Sequence, residues 1–413
     1  MENSRRVVVT GVGMITPVGL DAPTSWAALV AGKSGAGYIT RFDASPFEVH
    51  IACEIKGFDP AAHLDYKEAR RMDRFCQFAM TAAKEAMTDS GLTISSANAA
   101  RVGVIIGSGI GGIITILEAV KVMETRGPNR IGPFAVPMLM VDIAAGHVSI
   151  TYGAKGPNHA VVAACATGTI AIGEAAMLIR HGLADAMICG GSEAAIVPIA
   201  LGGLGNMGAL SKRNDEPEKA SRPFDRDRDG FVMGEGAGVM VLEWLDHALA
   251  RGAHIYGEVA GYGATADAFH ITAPAEGGEG AARAMRLALE QAGIAPEEVD
   301  YINAHGTSTT LNDASETQAI KTVLGKHAYR VPVSSTKSMI GHLMGAAGVV
   351  EGIATLLTMR DGVIHPTINL DNADPQCDLD YVPHAARQAP VHFAMSNSFG
   401  FGGHNACVVF RRV

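Results

Sequence analysis

The chain has 413 residues, of which 48% are hydrophobic and only 6% are aromatic, and its formal net charge is −9. This length predicts two domains or two fused halves. The negative charge disfavours a general nucleic-acid binder. Residues 156–173 and 194–211 carry no charged side chain, but the Gly, Pro, Asn, His or Thr residues within them disfavour a membrane-spanning helix.

Strand-like runs alternate with helix-like segments along the chain, which predicts α/β layers. The predicted strands cover residues 5–13, 101–109, 159–166, 184–191, 236–244, 255–263, 299–306, 331–337 and 392–403. Amphipathic segments at 74–91 and 280–293 predict helices. Many predicted strands lack polar alternation, as expected where both faces of a sheet are covered. A boundary between two halves is predicted near residue 250.

The opening residues predict a first strand and turn, without the apolar core of a signal peptide. The six cysteines show neither CxxC metal spacing nor a compact disulfide framework; they are Cys53, Cys76, Cys165, Cys189, Cys377 and Cys407. We therefore expect reduced thiols in a cytoplasmic protein without a metal site.

Three short motifs lack residues that their usual functions require. GSGIGG at 107–112 matches GxGxxG, but no second strand ends in an acidic residue about 20 residues later, so we expect a glycine-rich turn lining a site. DRDRDG at 225–230 begins like a calcium loop but has Gly236 where the bidentate Glu belongs. GGSEAA at 190–195 lacks the second glycine of a serine-hydrolase elbow.

The segment 161–178 predicts a buried strand that breaks into a helix, with Cys165 at the break. Alone, such a cysteine is more often packing. His305 and Lys337 each follow a predicted strand, and His342 is predicted to open a helix five residues after Lys337. Because α/β folds place chemistry at strand ends, these residues form a candidate catalytic set.

The chemistry of such a set is specific. A helix N-terminus lowers the pKa of a thiol, and amides of Cys165 and of the C-terminal glycine loop can hold the oxyanion of an attacked thioester. Two histidine Nε–H groups can stabilise a second negative charge, such as an enolate. The combination predicts carbon–carbon bond formation from thioesters.

Four long motifs carry a family resemblance: ACA around Cys165, NAHGTST around His305, SSTKSMIGHLMGAAG around Lys337 and His342, and NSFGFGGHN at 397–405. In this order they closely resemble the β-ketoacyl–acyl carrier protein synthases, the elongating condensing enzymes of type II fatty acid synthesis in the thiolase superfamily. The resemblance covers essentially the whole chain, with SRPFDRDRDGFVMGEGAG at 221–238 adding to it.

The resemblance implies a thiolase-like fold, in which two pseudo-duplicated α/β halves form an α-β-α-β-α layered sandwich. Residues 1–252 would carry the nucleophilic cysteine, and residues 253–413 the two catalytic histidines. It further implies a homodimer whose partner is acyl carrier protein. No cofactor is expected, because the substrates bring phosphopantetheine on the carrier protein.

The implied reaction is a decarboxylative Claisen condensation of malonyl–carrier protein with a cysteine-bound acyl chain. Cys165 would accept the acyl chain, and His305 and His342 would assist decarboxylation and stabilise the carbanion. The other implied catalytic-site residues support the histidines or gate the nucleophile: Lys337, Glu351 and Phe401. Those implied at the substrate are Ile110, Leu204, Phe231, Thr307, Thr309 and Gly402.

A basic cluster of Lys67, Arg70, Arg71 and Arg74 is predicted on one helix. A solvated helix face is the alternative reading. The resemblance implies that Lys67, Arg70 and Arg71, with Arg130, dock the acidic carrier protein. Leu204 and Gly208 depart from the phenylalanine and arginine common in the family, which affects the expected pocket shape and one docking contact.

Single residues distinguish this sequence from related types of enzyme and subunit. A degradative thiolase needs a second cysteine as base in a Cys-Gly motif, and neither Cys377 nor Cys407 provides one. A starter-type synthase would carry Asn in place of His342, and an inactive chain-length partner would lack Cys165. A ketosynthase of a type II polyketide-like pathway remains an alternative, because its motifs overlap these.

Overall fold

Strands and helices alternate along the part of the chain that the computed structural model describes, residues 5–413; the first four residues of the predicted N-terminal half lie outside it. The strands are β1 (Val7–Ile15), β2 (Gly37–Tyr38), β3 (Ile51–Ala52), β4 (Val102–Gly107), β5 (Asn158–His159), β6 (Ala186–Glu193), β7 (Gly236–Trp244), β8 (Gly257–Ala266), β9 (Tyr301–Asn303), β10 (Val333–Ser334), β11 (Val363–Ile364), β12 (Arg387–Gln388), β13 (Phe393–Gly400) and β14 (His404–Arg411). The helices are α1 (Ala22–Val30), α2 (Pro60–His63), α3 (Tyr66–Ala69), α4 (Arg74–Ser90), α5 (Ile113–Arg126), α6 (Ala135–Leu139), α7 (Ile143–Tyr152), α8 (Thr167–Arg180), α9 (Pro198–Asn206), α10 (Leu245–Ala250), α11 (Glu279–Ala292), α12 (Thr310–Leu324), α13 (Lys337–Ile340) and α14 (Ala347–Asp361).

Two groups of five strands share one arrangement. The first group has the order β5-β4-β6-β7-β1, and the second has the order β10-β9-β13-β14-β8. In each order the first two pairings are parallel and the last two antiparallel. A short antiparallel pairing of Val8 with Glu258 and Val9 with Gly257 joins the groups. The two halves are therefore duplicates in topology.

Helices form three layers around these sheets. α8 and α14 lie between the two groups of strands, within one apolar cluster that both groups share. The first thirteen residues of α14 are all buried, as expected for a helix covered on all sides. α4 and α7 cover the outer face of the first half, and α11 and α12 cover that of the second. This is the predicted α-β-α-β-α sandwich.

Paired glycines bring the outer helices against the sheets in both halves. Gly11 and Gly13 of β1 pack against α4, and Gly261 and Gly263 of β8 pack against α11. At all four positions a Cβ atom would overlap a carbonyl oxygen of the helix. Because only glycine permits this approach, the GVG and GYG sequences are a repeated packing device.

Most predicted elements are present, and the differences lie near the candidate site. The predicted strand 236–244 matches β7, whereas only His159 of the predicted strand 159–166 lies in a strand, in β5. The chain instead runs irregularly into a 3₁₀ turn, because a short apolar run does not distinguish a strand from a buried loop. The predicted strand 392–403 ends at Gly400, and β14 was not predicted.

Two further expectations concern membranes and cysteines. None of the helices in residues 5–413 is long and apolar enough to cross a bilayer. All six cysteines are free and buried. None of them forms a disulfide in this structure, and the reduced, cytoplasmic setting stays a prediction.

Candidate active site

Cys165 lies on a tight turn ahead of α8. It occupies the 3₁₀ turn Ala164–Ala166, and Ala164 adopts a left-handed conformation with φ of 47°, which costs energy for a residue with a side chain. The Thr167 hydroxyl stabilises the turn by donating to the Ala164 carbonyl at 2.8 Å and accepting the Ala163 amide at 2.9 Å. The turn thus presents the sulfur at the start of the helix.

The electrostatics of Cys165 differ from the expectation. Burial raises the pKa of the thiol to about 11, although the Lys337 charge and a hydrogen bond from the Phe401 amide oppose this shift. The predicted lowering by the helix N-terminus is therefore wrong, because desolvation of the thiolate outweighs those stabilising groups. The resting residue is a thiol with one amide directed at its sulfur.

The loop that carries His305 is held by two buried carboxylates of α12. Glu316 accepts the amides of His305 and Gly306 at 2.8 Å each. Asp313, one turn earlier, accepts the amides of the next two residues at 3.0 and 3.2 Å. Neither carboxylate was among the predicted site residues, although two acidic residues three positions apart in the helix after NAHGTST were an available signal.

Lys337 and Glu351 form a buried ion pair behind His305, each with a side chain 1% exposed. The Lys337 ammonium also lies 3.4 Å from Nδ1 of His305. An ammonium group only donates, so His305 Nδ1 accepts and the imidazole proton lies on Nε2. Burial and the Lys337 charge lower the pKa of His305 well below its ordinary value. His305 is therefore a neutral Nε2–H donor.

His342 has the same protonation state as His305, but different contacts set it. It lies in the loop between α13 and α14, not at a helix start as predicted, because α14 begins five residues later. Its Nδ1 accepts the Met344 amide at 3.2 Å, and its Nε2 is buried without a partner in residues 5–413. Burial and the Lys337 charge lower its pKa well below the ordinary value. His342 is a second neutral Nε2–H donor.

The motif at 221–238 explains the position of His342. The His342 amide donates to the Val232 carbonyl at 2.8 Å, and the Gly234 amide donates to the His342 carbonyl at 2.9 Å. The Phe231 ring packs edge-on against the imidazole with ring centroids 5.3 Å apart. The His305 and His342 rings are themselves 5.4 Å apart. The segment therefore fixes His342 against its backbone, with the His305 ring beside it.

One cavity of about 780 Å³ joins these groups. Cys165, His305, His342 and Phe401 line it, whereas Lys337 and Glu351 lie behind its wall. Five of the six residues predicted at the substrate also line it: Ile110, Leu204, Phe231, Thr307 and Thr309. Gly402 lies outside the wall, where its left-handed φ of 85° turns the loop and its amide donates to the Ile271 carbonyl.

The C-terminal glycine loop packs against Cys165. A Cβ atom at Gly400 would come within 3.0 Å of the Ala163 carbonyl and of the Cys165 nitrogen, so only glycine allows this contact without displacement. The contact places the Phe401 amide at the Cys165 sulfur. Two backbone amides, those of Cys165 and Phe401, therefore lie next to the Cys165 side chain.

The predicted basic cluster does not lie on one helix. Lys67 is in α3, Arg70 and Arg71 follow it, and all three are exposed, as is Arg130. Arg71 lies over the Phe134 ring at 4.9 Å, which brings the loop after Arg130 next to this surface. Arg74 instead turns inward, and its guanidinium pairs with Glu235 at 2.8 Å. The exposed patch excludes Arg74, because α3 ends at Ala69 and α4 begins at Arg74.

The rejected motifs have structural roles. Ile110 and Gly109 of GSGIGG line the cavity, as expected for a glycine turn at a site. Asp225 of DRDRDG pairs with Arg222 at 3.0 Å. The Ser192 hydroxyl of GGSEAA donates to the Phe75 carbonyl. Residues 5–413 contain no group of three or more His, Cys, Asp or Glu side chains placed to hold a metal ion.

Known proteins resemble this chain along its whole length. The family described as Beta-ketoacyl synthase, N-terminal domain, matches residues 4–248, and the corresponding C-terminal domain matches residues 256–371. The 3-oxoacyl-[acyl-carrier-protein] synthase 2 of Synechocystis sp. is 53% identical over 408 residues, 99% of this chain and 98% of that protein. The protein of the same name from Coxiella burnetii is 54% identical over 409 residues, 99% of each chain.

Solved structures share the fold. A β-ketoacyl synthase from Burkholderia phymatum has a TM-score of 0.92 and 37% identity, covering 99% of this chain and 100% of that one. A type II polyketide acyl-carrier protein in complex with its ketosynthase bound to the hexaketide gives 0.92 and 36%, covering 100% of both chains. The predicted thiolase-like fold is confirmed, and the chain belongs to the β-ketoacyl synthase family.

Proposed function

We propose that this condensing enzyme elongates acyl chains in fatty acid synthesis, joining a Cys165-bound acyl group to malonyl–acyl carrier protein with loss of carbon dioxide. The observation that carries the proposal is the convergence of one thiol and two neutral imidazole Nε2–H donors on one cavity. Full-length identity of 53–54% to 3-oxoacyl-[acyl-carrier-protein] synthase 2 proteins supports the same reaction.

In the first half-reaction, the sulfur of Cys165 attacks the carbonyl carbon of an acyl thioester. Negative charge develops on the acyl oxygen, where the amides of Cys165 and Phe401 can donate to it. The carbon–sulfur bond to pantetheine then breaks, and the thiol proton ends on the released pantetheine sulfur. The adjacent Lys337 charge favours the thiolate during attack, which offsets part of the cost of burial.

In the second half-reaction, the malonyl carboxylate leaves as carbon dioxide, and its bonding electrons form an enolate on the thioester. The enolate oxygen accepts from the Nε2–H groups of His305 and His342. Neutral donors suit this role, because they stabilise the charge without protonating the carbanion fully. The carbanion attacks the acyl carbon, and the Cys165 thiolate leaves and takes up one proton. The product is a 3-oxoacyl thioester two carbons longer.

We further propose that acyl carrier protein docks on the exposed patch of Lys67, Arg70, Arg71 and Arg130. Opposite charge would steer an acidic carrier to this surface even though the net charge of the enzyme is −9. The structural relative solved with its acyl-carrier protein supports a carrier partner. Thr307 and Thr309, whose hydroxyls are 2.9 Å apart on the cavity wall, are the proposed partners of the pantetheine arm.

The surface of the first half also supports a homodimer. Strand β5 is an edge strand with both residues exposed. Ile116, Val120 and Met123 form an exposed apolar stripe along α5, and Ile150 is 81% exposed. Apolar helix faces and open strand edges are typical of subunit interfaces. We propose that a second copy of the chain covers this face. We also propose that the enzyme functions in the cytoplasm, because free cysteines are typical of a reducing compartment.

A ketosynthase of a type II polyketide-like pathway is the second candidate, favoured by structural relatives at 36–38% identity. The higher identity to fatty acid synthases favours elongation. Incubation with acyl-carrier proteins of several chain lengths and malonyl–carrier protein separates the two. One condensation per product and acceptance of saturated primers support elongation, whereas poly-β-keto products from an acetyl primer would identify the polyketide activity.

A further inference from the structure

Glu193, the last residue of β6, is a fully buried carboxylate beside the catalytic cavity that the reaction above does not use. Its Oε1 accepts the Ser108 hydroxyl at 2.7 Å and the Ile110 amide at 3.2 Å. Its Oε2 accepts the Gly109 amide at 2.7 Å and the Gly345 amide at 3.0 Å. Four donors therefore surround this one side chain.

These contacts favour an ionised carboxylate. The three amides only donate, and the Ser108 hydroxyl can donate to Glu193 while its oxygen accepts the Gly111 amide at 3.0 Å. A protonated carboxyl would be a weaker acceptor for these donors. Burial raises the pKa of Glu193, and the four hydrogen bonds oppose that shift.

The four donors come from two turns, one in the cavity wall where an acyl chain would lie and one beside His342. Gly109 and Ile110 form part of the cavity wall where an acyl chain would lie. Gly345 follows Met344, which has a left-handed φ of 48° and whose amide fixes the Nε2–H tautomer of His342. A Cβ atom at Gly345 would overlap the Gly109 nitrogen, so the two turns are in direct contact.

We propose that Glu193 is a positioning residue that holds the acyl-pocket turn 108–110 and the Met344–Gly345 turn together as one unit. Through Ile110 it sets the wall that a long acyl chain contacts, and through Gly345 it orients the turn of His342. This inference rests on the proposed function. It assigns Glu193 a role in acyl-chain discrimination without contact with the reacting atoms.

The decisive variant is Glu193→Gln, which keeps the size of the side chain. The amide nitrogen of Gln cannot accept, so the hydrogen bonds on one side of the side chain are lost. Glu54→Gln is the matched control, because Glu54 is a buried carboxylate that also accepts two backbone amides and a hydroxyl, those of Thr40 and Arg41, away from the cavity. Ser108→Ala removes a single donor and serves if Glu193→Gln does not fold.

The assay compares kcat/KM for long-chain and acetyl–acyl carrier protein, together with the pH profile of Cys165 alkylation by iodoacetamide. We expect Glu193→Gln to change the ratio of kcat/KM for the long-chain substrate to kcat/KM for the acetyl substrate by about tenfold, which corresponds to the loss of one buried hydrogen bond. Ser108→Ala should change this ratio in the same direction. Loss of the Glu193 charge should move the alkylation profile to lower pH, because that charge raises the thiol pKa.

Ratios and alkylation profiles equal to those of Glu54→Gln would overturn the inference while wild-type elongation stands. If the wild-type enzyme itself formed no elongated product, the proposed function would fail instead. The two failures are therefore distinguishable within one set of measurements.

Discussion

The Lys337 ammonium lies 3.4 Å from Nδ1 of His305 and pairs on its other side with the buried Glu351 carboxylate. This single side chain sets the tautomer of His305, adds to burial in lowering the pKa values of His305 and His342, and favours the Cys165 thiolate. In the proposed mechanism Lys337 therefore affects both half-reactions, although it lies behind the cavity wall.

Replacing Lys337 with Met should abolish condensation and destabilise the fold. The lost partner leaves Glu351 buried and unpaired, which typically costs about 3–5 kcal/mol. The double variant Lys337→Met/Glu351→Gln should recover most of that stability in a denaturant titration while remaining inactive. Condensation by the single variant within twofold of wild type would rule out this role for Lys337.

The two catalytic histidines should stay neutral in mildly acid solution. Their pKa values are lowered well below 6.5, so each ring gains its second proton and becomes charged only at a pH far below that value. NMR of ¹⁵N-histidine-labelled protein at pH 6 should show both rings as neutral Nε2–H tautomers, whereas a histidine in an unfolded chain is mostly protonated there. A ring that gains a proton between pH 7 and 6, or carries it on Nδ1, would contradict the assigned state.

The lowered pKa values of His305 and His342 also make the free energy of unfolding depend on pH. Below pH 6.5 the unfolded chain binds protons at these histidines that the folded chain does not, so each contributes a loss of stability as pH falls. His365, whose pKa is lowered to about 4, acts in the same direction. Glu316 opposes this, because its pKa is raised to about 7 and the folded state gains a proton first.

Replacing His342 with Ala should block decarboxylation more than acylation. The variant removes one of two Nε2–H donors to the enolate and leaves the Cys165 turn and the Phe401 amide in place. We expect carbon dioxide release from malonyl–carrier protein to fall by about 100-fold or more, the usual effect of removing one such donor. His327→Ala, in the 3₁₀ turn that follows α12 and outside the cavity wall, is the matched control. Undiminished carbon dioxide release would exclude His342 from this step.

Motif spacing located the catalytic groups better than it located the secondary structure around them. Cys165, His305 and His342 line one cavity, yet the predicted strand before Cys165 is an irregular segment and the predicted helix start at His342 is a loop. Both errors occur where left-handed residues, Ala164 and Met344, bend the chain, and nothing in Ala or Met signals that conformation.

Long-range pairing explains the remaining differences. Arg74 follows Arg70 and Arg71 in sequence, but Glu235 draws it inward, a contact between residues 161 positions apart. The thiol pKa likewise depends on burial by elements from both halves, so the helix N-terminus alone does not determine the direction of its shift. Glu193, Asp313 and Glu316 act on backbone amides brought to them by the fold, which local spacing does not reveal.

Reversing the charge of Arg70 and Arg71 should weaken carrier docking without altering chemistry. Arg70→Glu/Arg71→Glu should raise the KM for acyl–carrier protein by about tenfold at low ionic strength, and the effect should shrink as salt screens the patch. Activity toward a small acyl thioester that lacks the carrier should be unchanged. Arg286→Glu, an exposed change on α11, is the control. An unaltered KM would mean that this patch is an ordinary solvated surface.

Acylation of Cys165 is the step on which the proposed function depends, and mass spectrometry of the intact enzyme after incubation with acyl–carrier protein measures it. We expect one acyl group on the wild-type enzyme, located at Cys165, and one on Cys377→Ala, which changes a buried cysteine outside the cavity. Cys165→Ala should fold normally and carry no acyl group. An acyl adduct on Cys165→Ala, or none on the wild-type enzyme, would show that Cys165 is not the acyl acceptor.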